Sequence, residues 1–244
     1  MRRALSSVGL CLAVACAKPG PPVPAPPDRH VGQPVTISIV ATTDVHGHIE
    51  SLPWLSGYVT NLRAARRADG GAVLLVDAGD MWQGTLESNL GEGAAVVRAY
   101  NALRYDAVTI GNHEFDFGPV GPRTVPREPG DNPTGNIERR AAQARFPLLA
   151  ANLATRDGAP WTPRNVMPST MVTVAGVRVG LLGVTTASTP QTTDPRNLVT
   201  LRVLPLREAV EREATRLRAE GASVVVVLAH AGGGCDAFTD PDDL

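Results

Sequence analysis

The chain has 244 residues, with 23 basic and 24 acidic side chains and a formal net charge of −1 at pH 7. That balance excludes a surface built to neutralise a polyanion, so nucleic acid is not an expected partner, and the length suffices for one good-sized core. Aromatic residues make up only 4%, which leaves the core to small aliphatic side chains.

At the N-terminus, Arg2 and Arg3 lead the apolar run ALSSVGLCLAVAC, too short to cross a bilayer as a helix. Small residues Ala13 and Ala15 precede Cys16. Residues 1–16 resemble a bacterial lipoprotein signal, in which Cys16 is lipidated and becomes the new N-terminus. The alternative is an ordinary secretory peptide cleaved nearby. Ala17 is not an acidic retention signal, which by the same resemblance favours the outer membrane, facing the periplasm or the cell surface. Residues 17–34 are proline-rich and suit an extended tether. With Cys11 leaving in the signal and Cys16 acylated, Cys235 stands alone, so no disulfide framework is expected.

From residue 35 strands alternate with helices. VTISIVATTD reads as a strand ending in a polar cluster, and YVTNLRAARRADG as a helix with a glycine stop. GAVLLVDAGD is an apolar strand ending in carboxylates, EGAAVVRAYNALRY a helix, and DAVTIGNHE a third strand. Residues 119–135, rich in Pro and Gly, form a long surface loop beside the candidate site. NIERRAAQARFP is helical and leads to the strand LLAAN. MVTVAGVRVGLLGVTT reads as two strands joined by a turn at Ala175 and Gly176. A strand near LVTLRVL, the amphipathic helix LREAVEREATRLRAEG and the strand ASVVVVLAH complete the order. The pattern predicts an α/β fold with a buried, mostly parallel sheet, whose ligand sites lie at the carboxyl ends of strands.

Chemistry-bearing residues gather at those ends. The first strand offers Asp44 and His46, the second Asp77 and Asp80, the third Asn112 and His113, and the late strand His230. Each alone is weak: an Asp-x-His after a strand is commonly a turn, and a lone histidine a polar cap. Four such clusters at one predicted edge point to a metal site. Carboxylate, imidazole and amide oxygen together suit Mn, Zn or Fe better than Mg or Ca.

The series Asp44-x-His46, Gly79-Asp80, GNHEFDFG and AHAGG resembles the calcineurin-like metallophosphoesterases, and within them the 5′-nucleotidase family. The resemblance covers residues 35–244 as a partial metallophosphoesterase domain. It implies a four-layer α-β-β-α sandwich with mixed sheets, incomplete at the C-terminus. It also implies two divalent metal ions, with Asp44 and His46 on one, Asp80 bridging both, and Asn112 and His230 on the second. His113 then faces the substrate, and Asp116, three residues on, orients its ring. Glu114 is assigned to local hydrogen bonding, Asp77 to a structural role and His48 to solvent or the periphery of the site.

The expected activity is hydrolysis of a nucleoside monophosphate outside the cytoplasm, with a small-molecule phosphoester as partner. Nucleotide-sugar, 2′,3′-cyclic nucleotide and sulfur-ester hydrolysis stand as alternatives within the fold. A rival class is a lipid-anchored metal-binding protein without turnover. Its support is that the family's later histidine motif and C-terminal substrate-binding domain are not in these 244 residues. The expectation is therefore a fragment of a longer enzyme.

Overall fold

The computed structural model describes residues 34–232. The expected signal, Cys16, nearly all of the tether and Cys235 lie outside them.

In chain order the elements are β1 (Ile37–Thr42), α1 (Leu52–Ala68), β2 (Ala72–Asp77), the short α2 (Leu86–Asn89), α3 (Ala94–Leu103) and β3 (Ala107–Thr109). Then follow α4 (Gly135–Gln143), β4 (Leu148–Leu149), β5 (Leu153–Thr155), β6 (Val166–Met167), β7 (Ser169–Val174) and β8 (Val177–Thr185). The short α5 (Thr189–Thr192), β9 (Leu201–Val203), α6 (Leu206–Ala219) and β10 (Val224–His230) complete the described chain.

Five strands form one sheet in the order β1-β2-β3-β4-β6, all parallel. A second sheet has the order β10-β8-β7, with β10 parallel and β7 antiparallel to β8. Side-chain alternation along β2 shows how the layers assemble. Leu75 joins Val59, Val97, Tyr100 and Ile137 under the helices, while Leu74 and Val76 meet Val179, Leu181 and Leu228 of the second sheet. On the far side Leu182 and Val184 pack against Ala209 and Leu217 of α6. The result is the four-layer α-β-β-α sandwich that the resemblance implies. The hairpin is the source of the mixed pairing, and it lies in the second sheet instead of interrupting the first.

Two local outcomes differ from the sequence expectation. Helix α1 begins at Leu52, six residues before the expected start, because Pro53 sits in the first turn, where a missing N–H costs nothing. Gly57 within it meets no neighbour within 4 Å and is simply exposed helix surface. Strand β9 pairs with β5 in a separate antiparallel ribbon, and neither β5 nor β6 stands out in the sequence because each has only two or three residues. The hairpin turn is as expected: Ala175 and Gly176 both have positive φ, 50° and 79°.

Because β1, β2 and β3 run parallel, residues 43–48, 78–85 and 110–116 all leave the sheet at one rim. The end of β10 reaches the same rim from the second sheet. Among the described residues no helix is long and apolar enough to cross a membrane.

Candidate metal centre

The turn after β1 and the turn after β2 are zipped together by their backbones. The Asp44 amide donates to Gly79 O at 3.0 Å, His46 to Asp80 O at 3.0 Å and Gly47 to Met81 O at 2.8 Å. This pairing holds Asp44, His46 and Asp80 at φ of 50°, 47° and 57°, a left-handed conformation costing about 1 kcal/mol or more for each non-glycine residue. Gly79 and Gly111 let the turns close. A Cβ on Gly111 would lie 2.2 Å from Asp80 Oδ1, and one on Gly79 3.0 Å from His230 Cγ.

Glu114 braces this arrangement from beneath. Its side chain is fully buried and accepts hydrogen bonds from the amides of Gly111 (2.6 Å), Met81 (2.7 Å) and Asp80 (2.9 Å). Burial, reinforced by the nearby Asp80 charge, raises its pKa against those three bonds. Asp77 is the second buried support. It accepts from the Thr42 hydroxyl (2.6 Å), the Tyr100 hydroxyl (2.8 Å) and the Gly79 amide (2.8 Å), while burial pushes it up to about 7. Both are structural in the sense expected from the sequence.

Above these supports the polar side chains converge. Asp80, 3% exposed, lies with Oδ2 3.0 Å from His230 Nε2 and 3.9 Å from His46 Nε2; its Oδ1 accepts from the His113 amide at 2.9 Å. His46 Nε2 is 3.8 Å from Asp44 Oδ1, and Asn112 Oδ1 is 3.0 Å from His230 Nε2. Donor atoms of Asp44, Asp80 and His230 lie within 4.8 Å of one another, as do those of His46, Asp80 and His113, so Asp80 is common to both groups. A cavity of about 500 Å³ opens beside them, lined also by Thr43, Thr186 and Ser188. A hollow of about 530 Å³ around Pro119, Glu138 and Arg164 shares no residue with the cluster.

The imidazoles are set by backbone carbonyls. Gln83 O lies 2.6 Å from His46 Nδ1 and Ala78 O 3.1 Å from His230 Nδ1, so each ring carries its proton on Nδ1 and turns Nε2 inward. For His230 this places a lone pair against two oxygen acceptors at 3.0 Å, an arrangement that calls for a cation or a proton between them. Burial works against a charged His230, but Asp80 overrides it and raises the imidazole pKa. Burial likewise penalises the Asp80 anion, yet bonds from His230 and the His113 amide hold it below the usual carboxylate range. The donor set therefore fits divalent cations: inward nitrogens, an amide oxygen and a carboxylate held as an anion.

His113 opens a single 3-10 turn, His113–Phe115, and its Nδ1 lies 2.5 Å from Asp116 Oδ2. Its ring stands edge-on to His46, with centroids 5.1 Å apart. His48 is exposed and pairs with Glu50 at 2.8 Å, away from this convergence. All seven site residues expected from the sequence, Asp44, His46, Asp80, Asn112, His113, Asp116 and His230, thus stand at one rim.

No family model matches the chain. A snake venom 5′-nucleotidase of Crotalus adamanteus is 32% identical over 209 residues, covering 80% of this chain and 33% of the relative. Among solved structures, a 5′-nucleotidase precursor from Thermus thermophilus superposes with a TM-score of 0.64 at 30% identity, over 80% of this chain and 37% of that one. The chain belongs to the calcineurin-like 5′-nucleotidase family. The calcineurin-like phosphoesterase YfkN from Bacillus subtilis gives the same TM-score at 25% identity, covering 85% of this chain and 65% of that one. The chain spans about a third of the curated relative it matches.

Within this 5′-nucleotidase family frame, three contacts at the site escape sequence reading. The carbonyls of Gln83 and Ala78 carry no side-chain signature. Thr193, 77 residues beyond Asp116, donates its hydroxyl to Asp116 Oδ1 at 2.6 Å. Nothing in the run QTTDP distinguishes it from Thr192.

Proposed function

We propose that the protein is an exported metal-dependent 5′-nucleotidase that converts nucleoside monophosphates to nucleoside and phosphate. In this reading Asp44, His46, Asp80, Asn112 and His230 would hold two divalent ions of the Mn, Zn or Fe type, Asp80 serving both. When bound, such ions neutralise phosphoryl oxygens and lower the pKa of a water. The observation that carries the reading is the shared position of Asp80 in two groups of inward donor atoms.

The chain's own residues then divide the work. Asp116 engages His113 Nδ1, so Nε2 is the nitrogen left to meet a substrate. From there His113 donates a hydrogen bond to the transferring phosphoryl group or a proton to the leaving oxygen, an effect commonly worth about 10²–10⁴ in rate. Phosphate monoesters hydrolyse so slowly that all contributions together must supply upwards of about 20 kcal/mol. Glu114 and Asp77 act beneath, keeping the two strained turns closed.

We place the domain outside the cytoplasm, tethered through Cys16 to the outer membrane by the segment 17–34, with a further substrate-binding domain in the full-length protein. Support for export comes from the sequence features of residues 1–34.

The test is phosphate release from nucleoside monophosphates by the full-length, metal-loaded protein. His113→Asn is expected to abolish release while leaving bound metal unchanged. No release from any phosphoester by the wild type would end the proposal. Loss of metal in His113→Asn would instead make His113 a ligand, a reading its grouping with His46 and Asp80 also permits.

A further inference from the structure

We propose that Thr193 is a positioning residue that fixes the carboxylate of Asp116 against His113; this rests on the role given to His113 above. Each oxygen of Asp116 has one partner: Oδ2 lies 2.5 Å from His113 Nδ1, and Oδ1 accepts from Thr193 Oγ1 at 2.6 Å. The terminal torsion of an aspartate is broad, so a single bond leaves the carboxylate free to swing. Two bonds to opposite oxygens fix its plane. That plane decides which lone pair meets the imidazole, and so holds the ring in the tautomer with Nδ1 protonated.

The segment that carries Thr193 is built as a strap over the His113 turn. Just past it, Asp194 caps the turn Pro195–Leu198 by accepting from the Arg196 amide. Asn197 is fully buried, and its Nδ2 donates to Phe115 O at 2.8 Å and Thr124 O at 2.9 Å. It therefore grips the backbone of the same turn whose side chain Thr193 holds. The approach is close: a Cβ on Gly118 would lie 2.1 Å from Asn197 Oδ1. That Oδ1 is itself buried without a hydrogen-bond partner, so the amide is oriented by its two donations. Leu198 anchors the end of the strap in the core beneath the helices. Before it, Thr189 is buried, donates to Thr186 O at 2.7 Å, and its hydroxyl meets that of Thr185, the last residue of β8, at 3.1 Å. A strap fixed at both ends delivers the Thr193 hydroxyl to one point, and that point is the back of Asp116.

The contact needs a hydroxyl and little else. Thr193 is half-buried, so replacing its oxygen by a methyl group is a mild change to packing. In the full-length metal-loaded protein, Thr193→Val is expected to lower kcat for a nucleoside monophosphate about tenfold or more, since a small misplacement of a catalytic group costs on this scale. KM, bound metal and Tm are expected to stay at wild-type values. Thr193→Ser, which restores the donor, should return kcat to within about twofold of wild type. Thr192→Val, whose hydroxyl bonds only to the carbonyls of Ser188 and Thr189, serves as the neighbouring control. The downfield proton resonance of His113 Nδ1, assigned by its absence in His113→Asn, is expected to move in Thr193→Val and not in Thr192→Val. Should Thr193→Val fail to fold by circular dichroism, Thr193→Ala takes its place with the same expectations. Wild-type kcat together with an unmoved resonance in the valine variant overturns the proposal. A shifted resonance in a protein whose wild type releases no phosphate would uphold the strap and overturn the nucleotidase reading instead.

Discussion

Asp80 and His230 lie 3.0 Å apart, yet one is held from every side and the other stands on an edge. Asp80 belongs to a turn pinned by backbone bonds from the β1 end, by Glu114 from below and by the His113 amide beside it. His230 ends a strand that pairs, among the described residues, with β8 alone, and along that strand Val224 and Val227 are 42% and 41% exposed. The first sheet therefore sets the geometry of the cluster in advance, with strain stored in its turns. The second sheet brings one ligand candidate to a position already defined. Damage to the braces under the first sheet should cost stability; damage at the β10 end should cost binding while the fold stands.

The largest effect is expected at Glu114. Glu114→Ala strands three buried amides, and at about 1 kcal/mol or more for each the loss is about 3 kcal/mol or more. Thermal unfolding should show a drop in Tm of about 6 °C or more for a chain of this size. A drop no larger than that of an exposed substitution would show that the turns close without the brace.

The next effect separates the braces by pH. Asp77 is raised in the folded protein to about 7 from an unfolded value of 3.8. Between those values the folded state holds a proton that the unfolded state has released. Its contribution to stability is therefore fully present below 3.8 and is lost as pH rises through about 7. Asp77→Asn removes this titration. Relative to wild type, the metal-free variant should gain stability progressively from about pH 4 to about pH 8, by about 1 kcal/mol or more. Urea unfolding at the two pH values measures it, and a difference that stays constant with pH would exclude the buried carboxylate as its source.

At the other side of the comparison, His230→Ala should change the stability of the metal-free protein by about 1 kcal/mol or less, while lowering bound metal. A collapse of the fold would place His230 among the braces after all. Smallest is Val227→Lys, on the exposed edge strand. It should shift stability by about 0.5 kcal/mol at most in urea unfolding, because the side chain it replaces is 41% exposed. A larger loss would show that this face of β10 is packed in solution.

How much of this was readable in the sequence follows the same division. Strands such as AVLLVD and VVVVLAH announce themselves by unbroken apolar runs, and the residues just past them are crowded with groups that avoid burial, so the rim and its occupants are legible. In VDAGD the first aspartate reads as structural and the last as a candidate ligand, and the structure places Asp77 among hydroxyls and Asp80 in the cluster. The pairing of His113 with Asp116 is local, three residues in one turn, and so follows from spacing. What spacing does not carry is tertiary. The strap that brings Thr193 to Asp116 depends on Asn197 gripping Phe115, a contact 82 residues long. The inward aim of His46 and His230 depends on carbonyls that any residue possesses. The two-residue strand β6 exists because the neighbouring β4 supplies its partner, a cause outside its own letters.

The account stands most directly on Asp80 as a carboxylate shared by two ions. Metal content per chain, measured by mass spectrometry on the full-length protein purified with Mn or Zn, tests it. Two ions in the wild type and neither retained in Asp80→Ala is the predicted result. An Asp80→Ala protein that still carries both ions would contradict it.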